Sequence, residues 1–288
     1  MIRGSGTARC YTGQTMSGST GASPPVPIQR TRLFIACDFD GTVTERDTLG
    51  MVVHRYAPHV WESVDDRLRG GQITLLEAMR EEFRQVRASE GEVVEFILAN
   101  ARLREGFQEF VRWVEVGRHE LVIVSAGFRT LIDPVLAAAG LSHLHVHAGD
   151  ALFTPRGTSL SFPPSTADCI DACGHCKRET IAAHRPFPGP FVYIGDGYSD
   201  RCAILDADII FARGELARFL EEENVAHHVF DTFRDVIREL ESLGYSGTDP
   251  RCSPRRGGFR QSSPPGRPAR PGLGWGGPVG SLAGVAPG

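Results

Sequence analysis

No apolar run in this 288-residue sequence approaches the roughly 20 residues that a membrane-crossing helix requires, so no membrane partner is expected. Excess charge of one sign is missing too. The formal net charge of -4 argues against nucleic acid or an anionic membrane as the main partner. The seven cysteines are scattered or clustered, not laid out in even pairs, and no signal-peptide pattern precedes them; a reduced, cytoplasmic setting is expected. Residues 1–30 contain no acid and are rich in Gly, Ser, Thr and Pro, while residues 244–288 are dominated by Gly, Pro and Arg. Neither end can bury enough apolar surface to offset the entropy of ordering, and both are expected to be disordered. An acid-free terminus with Arg and Ser also suits an organelle transit peptide, but its Gly and Pro work against the amphipathic helix such a peptide needs. Residues 31–243 remain, a size for one domain with an insertion.

What is present centres on Asp38-Phe39-Asp40-Gly41-Thr42-Val43. It follows the apolar run Leu33-Phe34-Ile35-Ala36-Cys37, which reads as a buried strand. Two carboxylates one residue apart at the end of such a strand are costly to bury without a compensating charge. A divalent cation supplies one, and a hard ion such as Mg²⁺ takes oxygen ligands. Side chains two apart point the same way along a strand, so Asp38 and Asp40 can serve one site. Gly41 lets the chain turn sharply and approach a ligand closely.

After a turn at Thr44–Leu49, residues 48–57, 60–69, 74–87 and 90–99 each carry apolar residues at helical spacing, with a break at Gly70-Gly71 and an N-cap candidate at Ser89. Helices in succession with no strand between them indicate a helical module over 48–104. The main body then comprises 31–47 and 105–243. Residues 105–116 are expected to be helical. Leu121-Val122-Ile123-Val124 reads as a second buried strand ending in Ser125-Ala126-Gly127, with a helix over 128–139 stopped by Gly140. Residues 144–162 suggest a strand and hairpin turning at Pro155-Arg156-Gly157, and 174–184 a helix. Phe191-Val192-Tyr193-Ile194 is a third buried strand running into Gly195-Asp196-Gly197-Tyr198-Ser199-Asp200, followed by a strand at 208–211 and helices near 214–222 and 231–242. Alternating apolar strands and helices predict an α/β fold, a Rossmann-like parallel sheet with helices on both faces and a small helical cap inserted after the first strand. Ligands of such sheets sit beyond the carboxyl ends of the strands, where the polar clusters fall.

Asp38, Ser125, Lys177 and Asp196 are therefore read together. Asp38 offers a carboxylate nucleophile. Ser125, with the N–H groups around Ala126 and Gly127 at a helix start, offers donors for a phosphoryl oxygen. Lys177 supplies a fixed positive charge, and Asp196 and Asp200 supply further metal-directed carboxylates. Phosphoryl transfer asks mainly for positioning and neutralisation of charge, which this set provides. In order and spacing these motifs resemble the haloacid dehalogenase superfamily of aspartate-nucleophile phosphatases, over about residues 33–240.

That resemblance implies an enzyme, a phosphoric monoester hydrolase. Asp38 would attack phosphorus to form an aspartyl-phosphate, and Asp40 would protonate the leaving alcohol and then activate water. Mg²⁺ would be held by Asp38, the backbone carbonyl of Asp40, and Asp196, with Asp200 in support. The helical insertion resembles the cap of the phosphoserine-phosphatase branch. Asp47 stands nine positions after the nucleophile, where that branch carries a substrate-binding Glu, and is the candidate substrate contact here. The cysteine-rich stretch Cys169-x₃-Cys173-x₂-Cys176-Lys177 and the hairpin before it are more similar to the methionine-salvage phosphatases acting on 2-hydroxy-3-keto-5-methylthiopentenyl-1-phosphate. Phosphocholine and phosphoethanolamine phosphatases are a further possibility, as is transfer of the phosphoryl group to an acceptor alcohol. A regulatory protein on the same scaffold is a third reading, against which the intact Asp38, Asp40, Lys177 and Asp196 count. The expected partner is a small phosphorylated metabolite, with monomer or homodimer left open. Three thiolates with His175 or His184 could hold zinc, a thiol pair could be redox-labile, or the cysteines could be structural. Cys37 and Cys202 read as core residues.

Overall fold

The computed structural model describes residues 31–165 and 173–247. The expectations for 1–30, 248–288 and Cys169 lie outside the described residues. The strands are β1 (Phe34–Cys37), β2 (Glu120–Phe128), β3 (His145–Thr154), β4 (Gly157–Ser161), β5 (Phe191–Gly195), β6 (Ile209–Ala212) and β7 (His228–Val229). They make one sheet in the order β4-β3-β2-β1-β5-β6-β7. All neighbours run parallel except β3 and β4, which form an antiparallel hairpin.

The central strands are apolar throughout because both of their faces are covered. Leu33, Ile35 and Cys37 join one buried cluster with Ile123, Val192 and Ile194, whereas Phe34 and Ala36 join another with Val122, Val124 and Tyr193. This alternation is the two-residue period of an extended strand. Helices α1 (Thr48–Tyr56), α2 (Pro58–Arg69), α3 (Leu75–Arg84) and α4 (Glu90–Asn100) follow β1 without an intervening strand. Thr74 with Glu77, and Ser89 with Glu92, form reciprocal caps that set the starts of α3 and α4. The insertion is anchored by Phe83 of α3, whose ring meets that of Phe128 edge-on with centroids 5.0 Å apart. Helices α5 (Phe107–Gly117), α6 (Arg129–Ala138), α7 (Lys177–His184), α8 (Gly214–Glu222) and α9 (Phe233–Ser242) complete the fold.

Two elements differ from expectation. Strand β2 runs through Ser125-Ala126-Gly127 to Phe128, so the helix begins at Arg129 and not before. Phe128 is held extended by pairing with Gly149 of β3 and by the Phe83 ring. The two-residue edge strand β7 carries too short a pattern to be read from sequence. The described chain also continues past 243, with Tyr245 packed on the core. Among the described residues no helix is long and apolar enough to cross a membrane.

Candidate active site

Strands β1 and β5 are adjacent and parallel, so their carboxyl ends deliver Asp38 and Asp196 side by side. One oxygen each from Asp38, Asp196 and Asp200 lies within 4.8 Å of the others. Lys177, at the first position of α7, places Nζ 2.5 Å from Asp38 Oδ1 and 2.6 Å from Asp200 Oδ1. All three of these side chains are buried, so the ammonium is the local counter-charge. Asp200 is further fixed by the Tyr193 hydroxyl at 2.6 Å and by the N–H groups of Asp196 and Gly197, each at 2.9 Å. With both oxygens so engaged, Asp200 organises the site, while Asp38 and Asp196 retain oxygens for a ligand. Asp196 is steadied by Thr42 Oγ1 at 2.8 Å. Gly41, at φ 77°, admits this packing, since a Cβ there would lie 2.3 Å from Asp196 Oδ2.

The electrostatics ask for more positive charge than one lysine. Burial, then the neighbouring Asp200 charge, pushes the Asp196 carboxyl up to about 7. Burial raises Asp38 well above the ordinary carboxylate range despite Lys177. Burial alone would pull the ammonium of Lys177 down, but Asp200 and Asp38 outweigh it and hold it above the usual lysine range. Like charges this close cannot all ionise unaided. The donor set is carboxylate oxygen with no nitrogen or sulfur, which suits a hard divalent ion such as Mg²⁺.

Asp40 does not share that cluster through its side chain. Strand β1 ends at Cys37 and the chain turns over Phe39–Val43, sending the Asp40 carboxylate elsewhere. Its Oδ1 accepts from the N–H of Thr48 at 3.1 Å and from the Thr48 hydroxyl; its Oδ2 accepts from Ser125 Oγ at 3.1 Å. Burial raises its pKa, and the Thr48 and Ser125 donors pull against that rise. The Gly127 N–H donates to Ser125 Oγ at 2.8 Å, and His175 Nδ1 donates to the Ser125 carbonyl at 2.7 Å. Ser125 and Gly127 are thus tied to each other and to Asp40 within a strand, with Ala126 buried between them, instead of standing at a helix start. Asp47 caps α1, accepting from Leu49 N–H at 2.8 Å. Among the cap aromatics, the His54 and Trp61 rings pack on one another with centroids 4.3 Å apart.

Sequence reading missed Thr42, Thr48 and Tyr193, and considered His175 only as a possible zinc ligand. It also passed over a signal for Lys177: that residue is the only lysine in the chain, every other Lys or Arg position being arginine. A compact ammonium fits between two carboxylates where a planar guanidinium fork does not. The cysteine cluster is partly visible. Cys173, Cys176 and Cys202 line one cavity of about 190 Å³ beside Lys177, so Cys202 is not the core residue expected, whereas Cys37 is buried.

Asp47 is exposed as a residue, yet protein packed around its carboxyl, and then Asp40, push that carboxyl up to about 7. Burial, then Asp47, Asp65 and Glu81, push Glu82 of α3 up to about 7 as well. For Glu82 the folded state holds the proton more tightly than the unfolded chain, whose carboxyl titrates near its ordinary 4.5. Stability from this group is therefore fully present below that value and is lost as pH rises toward 7. Glu82→Gln removes the loss, so its melting temperature should match wild type at about pH 4 and exceed it increasingly up to about pH 7, then level off. A difference that does not change with pH would refute this environment for Glu82.

A haloacid dehalogenase-like hydrolase family model matches residues 35–204. The chain is 31% identical over 214 residues to a 2-hydroxy-3-keto-5-methylthiopentenyl-1-phosphate phosphatase of Brevibacillus brevis, covering 74% of this chain and 96% of that protein. A protein of the same name from Geobacillus thermodenitrificans is also 31% identical, covering 74% and 97%. Among solved structures, a phospho-aspartyl intermediate analogue of phosphoserine phosphatase superposes with a TM-score of 0.55 at 17% identity, covering 73% of this chain and 99% of that one. At that identity the likeness concerns the fold.

Proposed function

The chain belongs to the haloacid dehalogenase-like hydrolase family, and on that premise we propose that it is a Mg²⁺-dependent phosphomonoester hydrolase of a small phosphorylated metabolite, working through a phosphoryl group carried on Asp38. The observation that carries this reading is the Asp38 carboxylate, fixed on one oxygen by Lys177 and set within 4.8 Å of the Asp196 and Asp200 carboxylates. Lys177 orients Asp38 so that its second oxygen takes the phosphoryl group, and the ammonium offsets charge gathering there. Asp40, raised above the ordinary carboxyl range, can hold a proton for the leaving oxygen and later accept one from water. Thr48 and Ser125 aim that carboxyl from opposite oxygens. A bound Mg²⁺, held by Asp38, Asp196 and the Asp40 main chain with Asp200 in support, supplies charge neutralisation at the phosphoryl oxygens.

Residues 48–104 act as a cap that closes over the core formed by 31–47 and 105–243, excludes water and contacts the leaving group, with Asp47 at the cleft wall. The relatives named for 2-hydroxy-3-keto-5-methylthiopentenyl-1-phosphate favour a methionine-salvage-type substrate over phosphoserine. Phosphate release from that compound, phosphoserine, phosphocholine and phosphoethanolamine, with Mg²⁺ and with a chelator, tests the reading. The salvage compound should give the highest kcat/KM, and chelation should abolish turnover. Equal activity with chelator, or no hydrolysis of any of the four, would refute it.

A further inference from the structure

Arg104 is buried, 7% exposed, and no carboxylate among the described residues forms an ion pair with it. Its guanidinium donates instead to five main-chain carbonyls: Gly41 at 2.6 Å, Thr42 at 2.8 Å, Thr44 at 3.0 Å, Glu45 at 3.3 Å and Asp231 at 3.4 Å. A buried cation without a counter-ion is costly, so neutral oxygens must compensate it by number and direction. The rigid guanidinium fork, with five donors, suits that task as no other side chain does. Four of its acceptors lie in one segment, residues 41–45. That segment begins beside Asp40 and ends where the helical insertion begins.

The same place is where the insertion joins the core. Thr44 and Leu103 form an antiparallel bridge, Glu45 N–H donates to Arg102 O at 2.9 Å, and Arg104 N–H donates to Val43 O at 2.8 Å. Arg104 therefore stands at the foot of both connections and holds the turn that carries Asp40. From its other side, Asp40 Oδ1 is gripped by Thr48, the first residue of α1 in the insertion. Moving the insertion moves the Thr44 and Glu45 carbonyls and Thr48 together. The Asp40 carboxyl is set by both.

We propose that Arg104 is a positioning residue that couples the placement of the helical insertion to the aim of the Asp40 carboxyl, and so sets how well the leaving group is protonated. The inference rests on the hydrolytic reading above. Its consequence is selective. Arg104 matters most where the leaving oxygen needs a proton, and least where it departs as a stable anion.

The test compares full-length wild type, Arg104→Lys and Thr48→Val in Mg²⁺ on p-nitrophenyl phosphate and on the best alkyl phosphate of the panel. The nitrophenolate leaves without a proton; the alkoxide does not. Arg104→Lys should lower kcat/KM, which reports departure of the leaving group and not the later attack of water common to both substrates, by about 100-fold for the alkyl phosphate and by less than about 5-fold for the aryl phosphate. Thr48→Val, which perturbs the same carboxyl from the insertion, should shift the aryl-to-alkyl ratio the same way, and the double variant should fall short of the product of the two losses. Addition of guanidinium at concentrations that do not unfold the protein should restore part of the alkyl activity to Arg104→Ala. Equal losses of kcat/KM on both substrates, undiminished alkyl kcat/KM in Arg104→Lys, or an unshifted kcat/KM ratio in Thr48→Val would overturn the inference while leaving hydrolysis intact. Wild type inactive on both substrates would overturn the hydrolytic reading, and the inference with it.

Discussion

Asp38→Asn is expected to lower kcat by about 10⁵-fold, because the amide has no anionic oxygen with which to take a phosphoryl group. The same change should leave the fold in place. The asparagine carbonyl can still accept from Lys177, whose ammonium keeps its contact with Asp200 at 2.6 Å. It also removes a buried carboxyl whose ionised form the surroundings disfavour. Without added metal, the variant should therefore melt within a few degrees of wild type. With Mg²⁺ the two should separate: wild type gains stability from a ligand that binds only the folded state, and the variant, short of one carboxylate, gains less. Kinetics and melting curves over a Mg²⁺ series give both results. Residual activity within about 10-fold of wild type would exclude Asp38 as the nucleophile.

Lys177→Met should be damaging in two ways at once. Removing the ammonium leaves Asp38 and Asp200 facing one another in a buried site, without the one cation that pairs with them among the described residues. Breaking a buried pair by deleting one partner costs about 3 kcal/mol or more, because the remaining charge is stranded. Activity should fall by about 10³-fold or more, as Asp38 loses both its orientation and its neutralising partner. Lys177→Arg should recover little, since the guanidinium brings a wider, planar head into a space that a point charge fills. A double variant, Lys177→Met with Asp200→Asn, should regain stability without regaining activity. Restored activity would mean that Lys177 serves the fold alone. Because no other lysine exists in the chain, acylation of Lys177 by an amine-directed reagent also reports directly on opening of the site.

How much of this could be read from the residues depends on whether the information is local. The three central strands were legible because each is an uninterrupted apolar run, and Asp38, Ser125 and Asp196 because each marks a strand end or its extension. Helices α3 and α4 were legible because apolar residues recur at helical spacing over 74–87 and 90–99 and Ser89 offers a cap for α4, whereas the reciprocal caps with Glu77 and Glu92 emerged from the structure. The extension of β2 through Gly127 was not, because what holds Phe128 in the sheet is a ring from α3, 45 positions earlier in the chain, and a partner on β3. The divergence of Asp38 and Asp40 was hidden for a related reason: the two-residue period that joins them ends with β1 at Cys37. Tyr193 looked like an apolar strand residue until β5 placed its hydroxyl on Asp200. Arg104 gave no sign in sequence, since its partners are carbonyls, which every residue possesses.

Acid quenching of the protein during turnover, followed by borohydride reduction and peptide mass spectrometry, tests the role of Asp38 most directly. An acyl phosphate at Asp38 would be reduced to homoserine at that position, and only in samples given both substrate and Mg²⁺. Homoserine at position 38 is the expected result. Unmodified Asp38 in protein that is turning over substrate, or reduction at Asp40 or Asp196 in its place, would contradict the account.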